Sequence, residues 1–144
     1  AILIDVSSNT VLVEKNADQR MPPSSMSKIM TMYMVFDAIK KGRMALDHTL
    51  PVSERAWRMQ GSKMFVELHN SIKVDDLIKG VIVQSGNDAC IVLAEGLAGS
   101  EEAFAEQANA KAKELGLTNS TIVNATGWPD PNHLMTARDL STLA

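Results

Sequence analysis

The sequence predicts an α+β fold, a short β-hairpin followed by a long, mainly helical region. Three observations carry that expectation. The first fourteen residues hold two strand-like runs around a polar turn, apolar residues at helical spacing dominate from Ile29 onward, and Gly99 and Gly116 stand where helices should stop. With 144 residues, 45% of them hydrophobic, the chain has enough apolar material for one packed core.

Ile2 to Val6 and Val11 to Glu14 read as strands, and Ser7-Ser8-Asn9-Thr10 between them are turn formers. After Pro22-Pro23 the period changes. Ser24 or Ser25 is available to cap a helix running through Ile29, Met32, Val35, Phe36 and Ile39 to Gly42. Apolar residues fall on nearly all of its sides, which marks a helix buried within the domain. The five methionines from Met21 to Met34 read as core filling rather than as a metal-binding surface. Lys41 to Asn70 is loop-like, apart from a brief helix at Ser53-Glu54-Arg55-Ala56-Trp57 with Ser53 as its cap. Two helices follow, Asp75 to Val83 and Asp88 to Leu97, broken at Ser85-Gly86-Asn87 and closed by Gly99. Another runs from about Glu101 to Leu115, acidic in its first turn. The polar stretch Asn119 to Asn132 then leads to a last helix, for which Thr136 and Asp139 form a capping pair.

A lone two-stranded hairpin is marginal in water, yet the remaining sequence is mainly helical. The last helix also reaches Ala144 after barely two turns, with no Gly, Asn or Pro to stop it. Residues 1–144 are therefore expected to be part of a longer chain, whose later strands extend the sheet.

Composition excludes several functions. Fourteen basic residues against seventeen acidic ones give a net charge of −3, and the basic residues are scattered, so nucleic acid is not an expected partner. The apolar run from Ile29 to Phe36 is far shorter than the ~18 residues of a membrane span. Ala1-Ile2-Leu3-Ile4-Asp5 lacks the charged opening of a signal peptide. Cys90 is the single cysteine, and His48, His69 and His133 are far apart without a second ligand at helical spacing, so no metal site is expected. No Gly-Lys-Ser/Thr follows the glycines, which disfavours a phosphate loop.

Ser25 and Lys28 stand at i and i+3, where side chains on a helix share a face. A serine hydroxyl is a weak nucleophile until a base takes its proton, and a lysine serves as that base only when its pKa is lowered. The apolar helix can supply the desolvation, and free N–H groups at its start favour negative charge on an attacked carbonyl oxygen. With twelve serines in the chain, however, one Ser-x-x-Lys match is expected by chance. Spacing alone does not choose the serine either, because Ser24 lies at i−4 from Lys28. Ser85-Gly86-Asn87 is a second candidate: a hydroxyl and an amide presented from one tight loop, or a plain joint between helices.

Taken in order, these segments resemble the serine D-alanyl-D-alanine carboxypeptidases, the low-molecular-mass penicillin-binding proteins. The resemblance rests on Pro23-Ser24-Ser25-Met26-Ser27-Lys28-Ile29-Met30-Thr31, Gly61-Ser62-Lys63-Met64-Phe65, Gln84-Ser85-Gly86-Asn87-Asp88-Ala89-Cys90, and Asn124-Ala125-Thr126-Gly127 leading to Met135-Thr136-Ala137-Arg138-Asp139-Leu140. It implies a β-lactamase/transpeptidase-like fold in which strands from both ends of the chain share one sheet. By position it makes Ser25 the nucleophile, Lys28 its base, Ser85 a relay toward the leaving amine and Asn87 a substrate-binding residue. The implied reaction is removal of the terminal D-Ala from peptidoglycan stem pentapeptides through an acyl-enzyme that β-lactam antibiotics also form, with no cofactor or metal. The implied setting is the periplasm or the outer face of the cytoplasmic membrane.

One departure stands out. The third motif of such enzymes, Lys-Thr-Gly on a strand of the sheet, is absent from residues 1–144, so this partial catalytic domain is expected to be nearly inactive alone. A β-lactamase is the nearest rival, but no Glu-x-x-Leu-Asn pattern of the class A enzymes is present. An esterase of the same fold and a non-catalytic cell-wall-binding module are the remaining alternatives.

Overall fold

In the computed structural model, which describes residues 1–144, the hairpin is formed by β1 (Ile2–Asp5) and β2 (Thr10–Glu14). They pair antiparallel, Ile2 opposite Glu14 and Asp5 opposite Thr10, with an irregularity between Leu3 and Ile4. The Asp5 carboxylate closes the turn by accepting from the Ser7 and Ser8 hydroxyls, each at 2.7 Å. Every residue of β2 is exposed, Val11, Leu12 and Val13 included.

The helix predicted after the proline pair begins differently. Ser24–Ser27 form a 3₁₀ turn, and α1 (Lys28–Lys40) continues from it. Neither Ser24 nor Ser25 caps through its side chain: Ser24 adopts a left-handed φ of 53°, and the Ser25 hydroxyl is engaged by Lys28. Nor is α1 buried on all sides. Met30, Met32, Met34 and Val35 enter the core, while Ile29 and Phe36 stay exposed. Of the five methionines read as core filling, Met21 and Met26 are exposed instead.

The segment read as loop holds a second antiparallel pair, β3 (Thr49–Pro51) with β4 (Ser71–Lys73). Strands of three residues are too short to show alternation, which is why the sequence pattern misses them. Between them α2 (Glu54–Arg58) starts at Ser53, whose hydroxyl accepts from the Ala56 N–H at 3.1 Å, as expected of a cap. Next come α3 (Val74–Gln84), α4 (Asn87–Ala98), α5 (Glu101–Glu114) and α6 (Ala137–Leu143). The Thr136 hydroxyl accepts from the Asp139 N–H at 3.0 Å, the expected cap of α6.

Helix α4 organises the rest. Asn87 through Ala94 are all buried, and α4 packs against α1, α2, α3, α5 and β3. Ile91 and Leu93 of α4, Leu77 of α3 and Phe104 of α5 are fully buried, each worth ~1.5–3 kcal/mol of removed apolar surface. The burial of α4 fixes its N-terminal end, and with it the Ser85-Gly86-Asn87 bend, against the start of α1. The hairpin is tied down at Met21, which exchanges backbone hydrogen bonds with Met135, and at Arg138, which pairs with Asp18 at 2.8 Å and with Glu14.

Candidate active site

Lys28 Nζ donates to Ser25 Oγ at 2.9 Å, so the two residues singled out by spacing do meet. Ser25 is exposed, whereas Lys28 is buried, at 5% relative exposure. Its burial pushes the ammonium below its ordinary pKa. Cys90 beside it does not counter this, since burial lifts the thiol to about 12 and keeps it uncharged at neutral pH. With the amine neutral, the same contact can reverse, the hydroxyl donating to Nζ. That is the arrangement a serine nucleophile needs from its base.

Ser24 turns away from this chemistry. Its left-handed backbone brings its carbonyl against Gly127, where a Cβ would stand 1.9 Å from the Ser24 oxygen. Gly127 itself has a φ of 82°, so the close approach and the backbone both require glycine there. The turn that delivers Gly127 is built by Asn124, whose Oδ1 accepts from the Gly127 N–H at 2.8 Å and whose Nδ2 donates to the Trp128 carbonyl at 2.9 Å. The Thr31 hydroxyl on α1 donates to the Ala125 carbonyl at 2.7 Å. From the other side, Glu101 accepts from the Ala125 N–H at 3.2 Å and pairs with Arg55 at 2.7 Å. Burial raises the Glu101 pKa, and Arg55 and the Ala125 N–H work against that rise.

Ser85 joins Ser25 and Lys28 in one cleft of about 390 Å³ with Ile29, Met32, Phe36, Val81 and Ile82 as apolar walls. It ends α3 in the left-handed region, φ 54°, which sets its side chain at the bend rather than along the helix. Asn87 does not line that cleft. Its Nδ2 donates to the Gln60 carbonyl at 2.9 Å and its N–H to the Ser62 carbonyl at 2.8 Å. The next residue, Asp88, is buried and accepts from the N–H groups of Met64, Val66 and Ala89 at 2.9–3.0 Å. The Gly61-Ser62-Lys63-Met64-Phe65 segment is thus strapped to the start of α4.

Residues 1–144 match the profile of the D-alanyl-D-alanine carboxypeptidases over their whole length. The chain belongs to that family. It is 45% identical to the D-alanyl-D-alanine carboxypeptidase DacC of Escherichia coli, over 99% of this chain and 37% of that one. The crystal structure of D-alanyl-D-alanine carboxypeptidase DacD from Francisella tularensis superposes with a TM-score of 0.95 at 39% identity, covering 99% of this chain and 34% of that one. Penicillin-binding protein D2 of Listeria monocytogenes in its ampicillin-bound form gives a TM-score of 0.84 at 28% identity, covering 99% and 57%. The family's fold is therefore the fold of this chain, and the mixed helix-and-strand class read from sequence is correct. The chain spans little more than a third of the length of the curated relatives it matches. No helix is long and apolar enough to cross a membrane.

Sequence reasoning gave no role to the residues that hold the site together: Asp88, Asn124 and Gly127, which stand in the segments that carry the resemblance, and the Arg55–Glu101 pair. An Asp in the first turn of a helix reads as a dipole partner, and nothing in its spacing reveals two N–H groups arriving from residues more than twenty positions away. Asn-x-x-Gly was a readable signal, because Asn folds turns and Gly permits a positive φ.

Proposed function

We propose that this chain carries the acylation machinery of a serine D-Ala-D-Ala carboxypeptidase. Lys28, as the neutral amine, takes the Ser25 proton while Oγ bonds to the carbonyl carbon of the penultimate D-Ala. The developing oxyanion lies toward the Ser25 N–H, which has no acceptor at the start of the 3₁₀ turn, whereas the Met26 and Lys28 N–H groups are already bonded. Collapse breaks the C–N bond, the proton passes by way of Ser85 to the leaving amine, and terminal D-Ala departs. Water then hydrolyses the Ser25 ester, with Lys28 again as base. Asn87, two residues after Ser85 and outside the lining of the Ser25 cleft, is assigned to orient the substrate amide. The observation that supports this most directly is a buried lysine in contact with an exposed serine at 2.9 Å, with no carboxylate in ion-pair reach of the lysine.

The substrate is the stem pentapeptide of peptidoglycan, and β-lactams compete for the same hydroxyl, as ampicillin binding by the Listeria relative suggests. The protein works outside the cytoplasm, in the periplasm or on the outer face of the cytoplasmic membrane. Residues 1–144 form the N-terminal part of the catalytic domain, and later strands of the longer protein supply the carboxylate-binding Lys-Thr-Gly and a second oxyanion donor. D-Ala release from a D-Ala-D-Ala peptide by the full-length protein, compared with Ser25→Ala, tests this: release lost in the variant supports it, and equal release overturns it. The lifetime of the penicilloyl adduct separates the carboxypeptidase, where it is long, from a β-lactamase, where it is short.

A further inference from the structure

A second cleft, of about 610 Å³, lies beside the site and is unused by the chemistry above. Its volume falls in the ~300–1,000 Å³ range of small-ligand sites. Trp128 stands in its wall with its indole about half exposed, and Arg58, Gln60, Asn124 and Asp130 surround it. The tryptophan backbone is fixed at both ends: its N–H donates to the Thr126 hydroxyl at 3.0 Å and its carbonyl accepts from Asn124. The backbone that carries the aromatic platform is thus fixed. The two arginines in the wall are already paired, Arg55 with Glu101 and Glu102 and Arg58 with Glu54, which makes the cleft a poor receptor for a free anion. What remains is an aromatic surface ringed by the guanidinium N–H groups left over from those pairs, the Gln60 amide and the Asp130 carboxylate. A pyranose presents the complementary chemistry: C–H groups on its faces, attracted to the electron-rich face of an aromatic ring, and hydroxyls around its rim that both donate and accept.

The Trp128 wall of the cleft comes close to Asn87 of the candidate site. Gly61 separates the two, since a Cβ there would stand 2.6 Å from Asn87 Nδ2 and 3.2 Å from the Trp128 ring. The Gln60 carbonyl that holds the Asn87 amide belongs to the same wall. We propose that this cleft is a saccharide subsite, with Trp128 as its platform, for the glycan to which the substrate peptide is joined. The inference rests on the carboxypeptidase reading and extends it from the peptide to the sugar.

The test uses the full-length protein and two substrates, a free D-Ala-D-Ala pentapeptide and the same peptide linked to an N-acetylglucosaminyl-N-acetylmuramyl disaccharide. The ratio of kcat/KM for the linked over the free peptide should be about tenfold in the parent, equivalent to about 1.4 kcal/mol, near one in Trp128→Ala and largely restored in Trp128→Phe. A loss of folding quality alone lowers both rates and leaves the ratio where it was. Saturation-transfer NMR on the linked substrate reads sugar contact independently of turnover, with sugar-proton signals expected in the parent and lost in Trp128→Ala. A parent ratio of one, a ratio unmoved by Trp128→Ala, or silent sugar protons would overturn the subsite. Failure to release D-Ala from either substrate, with sugar signals still present, counts instead against the carboxypeptidase reading and leaves the subsite supported.

Discussion

Lys28 is the residue on which the chemistry turns, and its burial gives it opposite effects on activity and stability. An amine must be neutral to act as base, so kcat/KM of the full-length protein should climb as pH rises through the depressed Lys28 pKa. A profile whose acid limb is the same in Lys28→Arg as in the parent would exclude this assignment. Stability follows with a definite sign. The folded pKa lies below the ordinary 10.5, so the folded protein gives up a proton that the unfolded chain keeps. Stability therefore rises with pH between the folded value and 10.5, and below that window the buried charge is a penalty. Lys28→Met should accordingly abolish acylation yet raise the unfolding free energy at neutral pH by on the order of 1 kcal/mol, measured by denaturant titration. Gly127 makes the complementary case. In Gly127→Ala the methyl would meet the Ser24 carbonyl at 1.9 Å, so the turn must shift at a cost of ~2 kcal/mol or more. Thermal unfolding and penicillin labelling should fall together, and an unchanged labelling rate would show that Gly127 does not set the nucleophile turn. Spacing could not choose between Ser24 and Ser25 because both lie within helical reach of Lys28. The 3₁₀ turn decides it, sending the Ser24 backbone against Gly127 and the Ser25 hydroxyl to the amine.

At the level of elements, the site is a meeting of two helix starts held by loops. Capped helices were legible in sequence, since Ser53 and Thr136 cap where their spacing says they should. The long-range straps were not, because a buried carboxylate that gathers distant N–H groups leaves no periodic trace. Asp88 is the main strap. Asp88→Asn replaces one acceptor oxygen with a donor facing the Met64 or Val66 N–H, which should cost ~1–3 kcal/mol and loosen residues 61–66 around Asn87. The expected kinetic result is a higher KM for the D-Ala-D-Ala peptide, with amide exchange at Met64 and Val66 accelerated. Exchange as slow as in the parent would mean the loop is held by something else.

For the whole molecule, Val11, Leu12 and Val13 of β2 form an exposed row, and the chain spans little more than a third of the length of the curated relatives it matches. From the sequence, a hairpin without partners and the lack of Lys-Thr-Gly within residues 1–144 lead to the expectation of later strands. Residues 1–144 alone should be acylated by penicillin ~10²–10³ more slowly than the full-length protein, the effect of losing one oxyanion donor. Stoichiometric labelling at comparable speed would show that the missing strand is dispensable for acylation. The most direct test of the account is peptide mapping by mass spectrometry after the full-length protein is incubated with a penicillin. A single penicilloyl adduct on Ser25, absent from Lys28→Met, is the result expected. An adduct on Ser24 or elsewhere, or equal labelling without the Lys28 amine, would contradict it.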